Sequence, residues 1–266
     1  MHQPFSYITY ETRGAVALLS LNLPHKLNGM SAPMQAEIRA VLEHLQTQGD
    51  VRALVITGSG RAFCSGADLG DISQKGDGRA QAESTYRAMV EQSNPMILDI
   101  RQSRIPVVAA VNGIAAGAGA SLALAADVVV AGRSASFLMP FAPRLGIVPD
   151  LGATWLLPRL LGEARARAAL LLGERISAEQ LEQWGGIWAC VEDAELLDTA
   201  LELAGRLAAS PRHSAEELKR ALDCAEHNSL AEQLQYEADR QRELIAHADF
   251  QEGVAAFLGK RAPVFP

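Results

Sequence analysis

Three short segments of the sequence contain the residues that could perform chemistry. The first, residues 61–69, follows a buried apolar strand and combines small residues with Asp68. Small residues let another group approach the backbone closely, and free N–H groups at such a bend can bind an oxygen atom. An ordinary turn in which Asp68 caps the next segment explains the same pattern. Taken alone, the segment fits both interpretations.

The second segment, residues 111–122, reads as a strand, a glycine-rich turn and the start of a helix. Backbone N–H groups at the start of a helix can bind an anion. The G-x-G-x-x-G fingerprint of a dinucleotide site is absent, because Leu122 follows Gly117 and Gly119. The first two segments could instead form an oxyanion hole, in which each supplies one N–H group to a single carbonyl oxygen.

The third segment contains Asp150, which lies between a proline and a helical pattern. An aspartate in this place is a good helix N-cap. An aspartate beside an apolar pocket instead has a raised pKa and can transfer protons. The apolar residues that would line such a pocket, or would be ordinary core, are Met139, Phe141, Leu145 and Trp155.

Other catalytic schemes and metal sites are not predicted. The sequence has no G-x-S-x-G nucleophile motif. Its cysteines, Cys64, Cys190 and Cys224, form no C-x-x-C, which favours neither a disulfide framework nor a zinc site. The 6 histidines show no ligand spacing and are expected at the surface. We therefore expect no metal and no redox cofactor.

Charge and hydropathy limit the partners of the chain. A net charge of −7 over 266 residues argues against nucleic acid or an anionic membrane as the main partner. Residues 105–132 form an apolar run long enough to span a bilayer, but the run contains Asn112, Ser121 and Asp127. We expect it to form buried strands and a helix rather than a membrane span. The free cysteines and the absence of a signal-peptide pattern favour a cytoplasmic protein.

Alternating strands and helices must position these segments. The patterns predict strands at 16–21, 52–58, 106–111 and 127–131, and helices at 31–47, 80–102 and 115–125. From residue 151 onward the pattern is almost entirely helical. Alternation of this kind is typical of an α/β fold with a mostly parallel sheet. We predict a core over residues 1–200 that carries the site, and a helical region over 201–266 whose apolar faces need a partner surface.

Taken in order, five motifs resemble those of the enoyl-CoA hydratase/isomerase (crotonase) superfamily. They lie at residues 23–28, 63–69, 112–119, 152–159 and 176–185. The resemblance covers nearly the whole chain. It implies a spiral of strand–strand–helix units and a C-terminal helical region that drives assembly into a homotrimer or a dimer of trimers.

The resemblance also implies an acyl-CoA thioester as substrate. Its carbonyl oxygen would lie between the backbone N–H groups of Ala67 and Ala118, with Gly117 as the neighbouring possibility for the second donor. The adenine and pantetheine parts would lie along Lys26, Leu27 and Asn28. The remaining residues implied to contact the substrate are Ser65, Gly66, Asp68 and Leu69.

Departures from the family pattern favour one activity over another. Hydratases of the family carry two glutamates, and their positions fall on Ser121 and Phe141, so water addition is put in doubt. Asp150 falls where many isomerases of the family place their single acid. Residues 134–159 and 252–261 resemble most the members that rearrange ring-epoxide phenylacetyl-CoA in phenylacetate degradation.

We therefore expect an acyl-CoA isomerase that shifts a double bond or rearranges a ring epoxide, with Asp150 as its acid/base. The first alternative is an enoyl-CoA hydratase with a different arrangement of acids. The second is a relative that binds acyl-CoA without catalysis.

Overall fold

Two sheets, one of six strands and one of four, form the framework of the chain. The structure is a computed structural model and describes residues 5–68, 70 and 78–265, so Leu69 lies outside the described residues. The strands are β1 (Ile8–Arg13), β2 (Val16–Leu21), β3 (Ala53–Gly58), β4 (Ala62–Cys64), β5 (Val107–Val111), β6 (Ile114–Ala116), β7 (Val128–Gly132), β8 (Ser136–Leu138), β9 (Arg175–Ser177) and β10 (Ala189–Val191).

From β3 to β8, consecutive strands alternate between the two sheets. The larger sheet has the order β1-β2-β3-β5-β7-β10, and the smaller has the order β4-β6-β8-β9. Pairing is parallel except at β1–β2 and β8–β9. The pairs β3–β4, β5–β6 and β7–β8 therefore each place one strand in each sheet before the chain turns into a helix or helical turn. This confirms the predicted α/β fold of repeated strand–strand–helix units.

Helices cover both faces of the larger sheet. They are α1 (Ala32–Thr47), α2 (Gly78–Ala88), α3 (Asn94–Arg101), α4 (Ala118–Leu124), α5 (Ala153–Leu161), α6 (Glu163–Leu172), α7 (Ala178–Gln183), α8 (Leu196–Ala208), α9 (Arg212–Ala225), α10 (Leu230–Ile245) and α11 (Ala248–Leu258). Leu54 and Ile56 of β3 belong to the core cluster that includes α1, whereas Ala53 and Val55 pack in the cluster that includes α8. Burial on both faces explains why these strands are uninterrupted apolar runs.

The helix predicted over 80–102 is divided in the structure. Between α2 and α3 the chain widens into a π-helical turn, Met89–Ser93. Pro95 follows at the start of α3 and has no N–H group to continue a regular ladder. The wide turn brings the Ser93 hydroxyl 2.7 Å from the side-chain oxygen of Gln35 on α1, to which it donates a hydrogen bond.

The long apolar run at 105–132 forms the buried strand β5, the short strand β6, the buried helix α4 and the buried strand β7. Among the described residues, no helix is long and apolar enough to span a membrane. The predicted domain boundary near residue 201 falls inside α8, and Ala200 and Ala204 of that helix pack on the larger sheet. The helices α9, α10 and α11 follow, and the division of the chain into two regions stays a prediction.

Candidate active site

A buried asparagine fixes the loop that precedes α1. Asn28 is 0% exposed and adopts a left-handed conformation with φ of 54°. Its side-chain oxygen accepts the N–H of Leu23 at 2.8 Å, and its side-chain nitrogen donates to the carbonyls of Ser59 and Ala62 at 3.0 and 2.8 Å. The side-chain amide is thus occupied by backbone, so Asn28 shapes the loop predicted to run along the CoA.

Neighbouring residues of the predicted CoA loop are tied to residues 65–68. The Leu27 carbonyl accepts the Ser65 N–H at 3.0 Å, and the Ser65 hydroxyl lies 3.4 Å from the Lys26 carbonyl. The Lys26 ammonium lies 2.9 Å from an Asp68 carboxylate oxygen. The structure therefore brings these predicted substrate-binding residues together into one surface.

Close approach of two backbones joins the first two predicted segments. Gly66 has a φ of +94°, and a Cβ atom built on it would lie 2.7 Å from the Ala116 carbonyl oxygen and 3.6 Å from the Ala118 nitrogen. The Gly66 carbonyl accepts the N–H of Met30 at 2.8 Å, which orients the following residue. Among the described residues, the N–H of Ala67 has no hydrogen-bond acceptor.

The glycine turn before α4 distinguishes the two donors left open by the sequence. The Gly117 N–H donates to the Leu138 carbonyl at 2.8 Å and is therefore occupied. Ala118 is the first residue of α4, where an N–H group has no partner within the helix. No acceptor for it is found in the described part of the chain. Ala67 and Ala118 thus supply two unpaired N–H groups on adjoining segments.

Asp150 lies at a turn before α5 and does not cap it. The helix begins at Ala153 after Gly152, and only the backbone carbonyl of Asp150 accepts the Ala153 N–H, at 3.0 Å. One carboxylate oxygen, Oδ1, is buried with no hydrogen-bond partner among the described residues. Burial raises the pKa of Asp150 to about 6, and its own backbone N–H offsets the rise in part. This is the pKa expected for a proton-transfer group rather than for a helix cap.

The backbone after Asp150 is strained. Leu151 has a φ of 49° and Gly152 a φ of 79°, so two consecutive residues are left-handed. A non-glycine residue in this conformation costs about 1–2 kcal/mol. The Leu151 side chain is 4% exposed, and its burial in the core offsets that cost. The buried Leu151 side chain thus anchors the turn that follows Asp150.

Ser121 and Phe141, the positions of the hydratase glutamates in the resemblance, contact the site in other ways. The buried Ser121 hydroxyl donates to the Asp150 carbonyl, with an Oγ–O distance of 3.2 Å. The Phe141 ring lies 3.5 Å from where a Cβ of Gly117 would be. In the sequence, Ser121 stands out only as a missing acid and as a polar residue of the apolar run 105–132. The contact of its hydroxyl with the acid segment joins residues 29 positions apart, and no local pattern indicates it.

The other predicted pocket residues have different surroundings. Met139 is buried and Leu145 is 43% exposed. Trp155 is 37% exposed, and its ring lies under the guanidinium groups of Arg159 and Arg101, at 4.0 and 5.7 Å from its centroid. The role of Trp155 in binding substrate stays a prediction.

Comparison with known proteins gives one consistent family. Residues 11–266 match the Enoyl-CoA hydratase/isomerase family. The chain is 43% identical over 259 residues to the 1,2-epoxyphenylacetyl-CoA isomerase of Escherichia coli K12, covering 97% of this chain and 98% of the relative. It is 44% identical over 258 residues to a probable enoyl-CoA hydratase of Rhodobacter capsulatus, covering 97% of each chain.

Solved structures agree with the sequence relatives. An enoyl-CoA hydratase from Polaromonas sp. JS666 superposes with a TM-score of 0.92 at 36% identity, over 97% of this chain and 99% of that one. An enoyl-CoA hydratase from Bacillus anthracis superposes with a TM-score of 0.91 at 31% identity, over 98% and 99% of the two chains. Together with the fold and the two joined backbone turns, these matches show that the chain belongs to the enoyl-CoA hydratase/isomerase family, whose members process CoA thioesters.

Proposed function

We propose that this protein is an acyl-CoA isomerase in which Asp150 is the acid/base. The observation that carries the proposal is the half-buried carboxylate of Asp150, whose buried Oδ1 is unpaired among the described residues and whose pKa is raised to about 6. A carboxylate with this pKa accepts a proton near neutral pH and, once protonated, returns it readily. One group of this kind is sufficient for moving a proton between two carbons of a substrate.

The thioester carbonyl would be held by the N–H groups of Ala67 and Ala118. Removing a proton next to a thioester carbonyl moves negative charge onto its oxygen, and two fixed donors stabilise that charge. Loss of one such donor costs about 10²–10³ in rate. Asp150 would take the proton from one carbon of the enolate system and return it to another, which shifts the double bond. The proposed proton transfer requires no cofactor beyond the CoA of the substrate.

Isomerisation is favoured over hydration by the contacts of Ser121 and Phe141. Hydration requires groups that position and activate a water molecule. The Ser121 hydroxyl already donates to the Asp150 carbonyl, and Phe141 presents an aromatic ring to Gly117. Enoyl-CoA hydratase activity remains the second candidate, because the Rhodobacter capsulatus relative is named a probable hydratase at similar identity.

For the acyl group, we propose a ring-epoxide derivative of phenylacetyl-CoA. The Escherichia coli relative named for this substrate matches over nearly its whole length. Apolar side chains precede Asp150, and Leu145, Ile147 and Val148 are 43%, 51% and 80% exposed. Such a surface suits an aromatic acyl group better than a polar one. The same acid would assist rearrangement of the epoxide ring while the thioester oxygen is held.

We further propose a cytoplasmic homotrimer or dimer of trimers. The support is the apolar surface of the C-terminal helices, where Leu230, Phe257 and Leu258 are 76%, 83% and 75% exposed. Exposed apolar side chains on amphipathic helices gain stability by packing on another subunit. Sedimentation equilibrium measures the assembly directly, and a monomer at all concentrations would contradict this part of the proposal.

The test of the function is a panel of enoyl-CoA and ring-epoxide phenylacetyl-CoA substrates, with products identified by mass spectrometry. We expect isomerised products, which Asp150→Asn abolishes. The matched control is Asp198→Asn, which changes an exposed aspartate of α8 and leaves turnover intact. Near wild-type isomerisation by Asp150→Asn would overturn the role of the acid. Rapid hydration of crotonyl-CoA would support the hydratase, and tight binding without turnover would support a non-catalytic relative.

A further inference from the structure

Two histidines and an aspartate from distant parts of the chain converge among the C-terminal helices. His213 lies in the first turn of α9, while His247 precedes α11 and Asp249 lies in its first turn. The ligand-type atoms of the three side chains all lie within 4.8 Å of one another. None of these residues belongs to the site proposed for catalysis.

The distances among these atoms suit a divalent transition-metal ion. An Asp249 carboxylate oxygen, Oδ2, lies 3.1 Å from Nδ1 of His247 and 3.9 Å from Nδ1 of His213. Two ligands held at about 2.1 Å from a tetrahedral ion are about 3.4 Å apart. The two observed distances lie on either side of that separation, so small side-chain rotations would place all three ligands around one ion.

The surroundings of His247 favour a cation at this point. Its Nδ1 lies 3.3 Å from the backbone nitrogen of Asp249, whose N–H it accepts, and 3.1 Å from a carboxylate oxygen of the same residue. An ion bound at Nδ1 would displace the hydrogen bond from the Asp249 N–H, because this nitrogen has one lone pair, and would be attracted to the Asp249 carboxylate. The side chain of Asp249 is 11% exposed, so water screens that attraction weakly.

The donor set selects among metals. Two imidazole nitrogens and one carboxylate suit zinc and its neighbours in the transition series, whereas calcium and magnesium prefer oxygen ligands throughout. All three residues line a cavity of about 710 Å³ among α9, α10 and α11. The coordination positions that the protein leaves open would face this cavity and take water.

We propose that His213, His247 and Asp249 bind a zinc-type divalent ion that fastens the start of α9 to the start of α11. The ion has a structural effect, because it joins two helices that lie outside the catalytic segments. It departs from the expectation of no metal drawn from the sequence, where His213 and His247 lie 34 positions apart with no ligand spacing. Folding alone brings them into contact, with ring centroids 4.4 Å apart.

The experiment titrates the full-length, metal-stripped protein with Co²⁺ and follows visible absorption. We expect a tetrahedral d–d band that saturates at one ion per chain. His213→Ala and Asp249→Asn should each weaken Co²⁺ binding more than about 10-fold, since even loss of an outer contact to a metal ligand costs 10–100-fold. The matched control is His227→Ala, which removes an exposed histidine of the same helical region.

A second measurement follows thermal unfolding with added Zn²⁺. A bound ion stabilises the folded state by mass action, so the melting temperature of the wild type and of His227→Ala should rise, and that of His213→Ala should not. The proposal is overturned by an absent Co²⁺ band, by a band equally strong in His213→Ala, or by a thiolate charge-transfer band that assigns the ion to cysteine. A melting temperature that depends on pH but does not change with added Zn²⁺ would likewise overturn it. That result would indicate a proton shared among the three side chains in place of a metal ion.

Discussion

The Ser121 hydroxyl lies 3.2 Å from the backbone carbonyl oxygen of Asp150, and this hydrogen bond ties the proposed oxyanion helix to the proposed acid. The same Oγ lies 3.4 Å from the Gly117 carbonyl, so Ser121 touches both catalytic segments. Its side chain is 0% exposed and cannot contact solvent. We therefore expect Ser121 to act as a positioning residue, which helps to set where the carboxylate of Asp150 lies relative to the proposed thioester oxygen.

Replacing Ser121 by alanine should lower kcat while leaving KM nearly unchanged. The lost hydrogen bond costs about 1 kcal/mol of stability, and a displaced acid reduces turnover by about tenfold. Ser103→Ala is the matched control, because Ser103 is also buried and donates to the Ile105 carbonyl at 2.9 Å. Both variants should lose similar stability in denaturant unfolding. Equal kcat values for the two variants would contradict a positioning role for Ser121.

The rate of the proposed isomerisation should depend on pH through the ionisation of Asp150. Burial raises its pKa to about 6, and only the ionised form accepts a proton. We expect kcat/KM to fall about tenfold per pH unit below about 6 and to level off above about 7. A stopped-flow or coupled assay across the acidic and neutral range measures this limb. An acidic limb centred near the pKa of an ordinary aspartate, about 4, would show that the carboxylate is not perturbed in the free enzyme.

The same burial predicts that Asp150→Asn stabilises the protein at neutral pH. Because the pKa is raised on folding to about 6, the stability that Asp150 contributes is fully present below the unfolded pKa and is lost as the pH rises through the folded one. The loss corresponds to about 3 kcal/mol, because the pKa rises from 3.8 to about 6 and each pKa unit is worth about 1.4 kcal/mol. Urea unfolding at an acidic and at a mildly basic pH should thus show a gain for the variant that grows with pH. A gain independent of pH would mean that desolvation of the charge is not its cause.

Gly66 should tolerate no side chain. A Cβ atom there would lie 2.7 Å from the Ala116 carbonyl oxygen, and the φ of +94° is unfavourable for any other residue. Gly14→Ala is the matched control, since Gly14 has a φ of +60° and a Cβ atom built on it would have no neighbour within 4 Å. Gly14→Ala should cost about 1 kcal/mol from strain alone. Gly66→Ala should cost about 1–3 kcal/mol more and lose most of the turnover, because it separates Ala67 from Ala118.

Equal decreases in the free energy of unfolding for Gly66→Ala and Gly14→Ala would contradict the close approach of the two backbone segments. Retained turnover in Gly66→Ala, with its fold intact by circular dichroism, would contradict their shared role as donors. The two readouts therefore separate the packing argument from the catalytic one.

Local patterns were sufficient to predict the strands that are buried on both faces. Residues 16–21, 52–58 and 106–111 are mostly apolar runs, and each forms a strand of the larger sheet. The short strands β4 and β6 were not predicted, since each has only three residues. β4 lies in the segment 61–69 that was interpreted as a bend, and β6 overlaps the predicted glycine-rich turn and the first residues of the helix predicted at 115–125. Their pairing depends on partners far away in the chain, which periodicity does not reveal.

The site was predicted in part for the same reason. Asp150 stood out by type and position, but whether it caps the following helix depends on where α5 begins. The choice between Gly117 and Ala118 depends on a hydrogen bond to Leu138, 21 positions beyond the glycine. The surroundings of Trp155 depend on arginines from two helices. Each of these features is a tertiary contact, and a single sequence carries no direct sign of it.

The packing of Phe141 against Gly117 also constrains how the activity of this fold can change. A glutamate at position 141 would remove the ring from the glycine turn and leave space where the donor segment is now supported. A glutamate at position 121 would break the link to Asp150 and bury a second negative charge beside the first. Each single substitution toward the two-acid arrangement thus passes through a less stable protein. We therefore expect the two-acid arrangement to be reached with less loss of stability when positions 121 and 141 change together with their neighbours than when either changes alone.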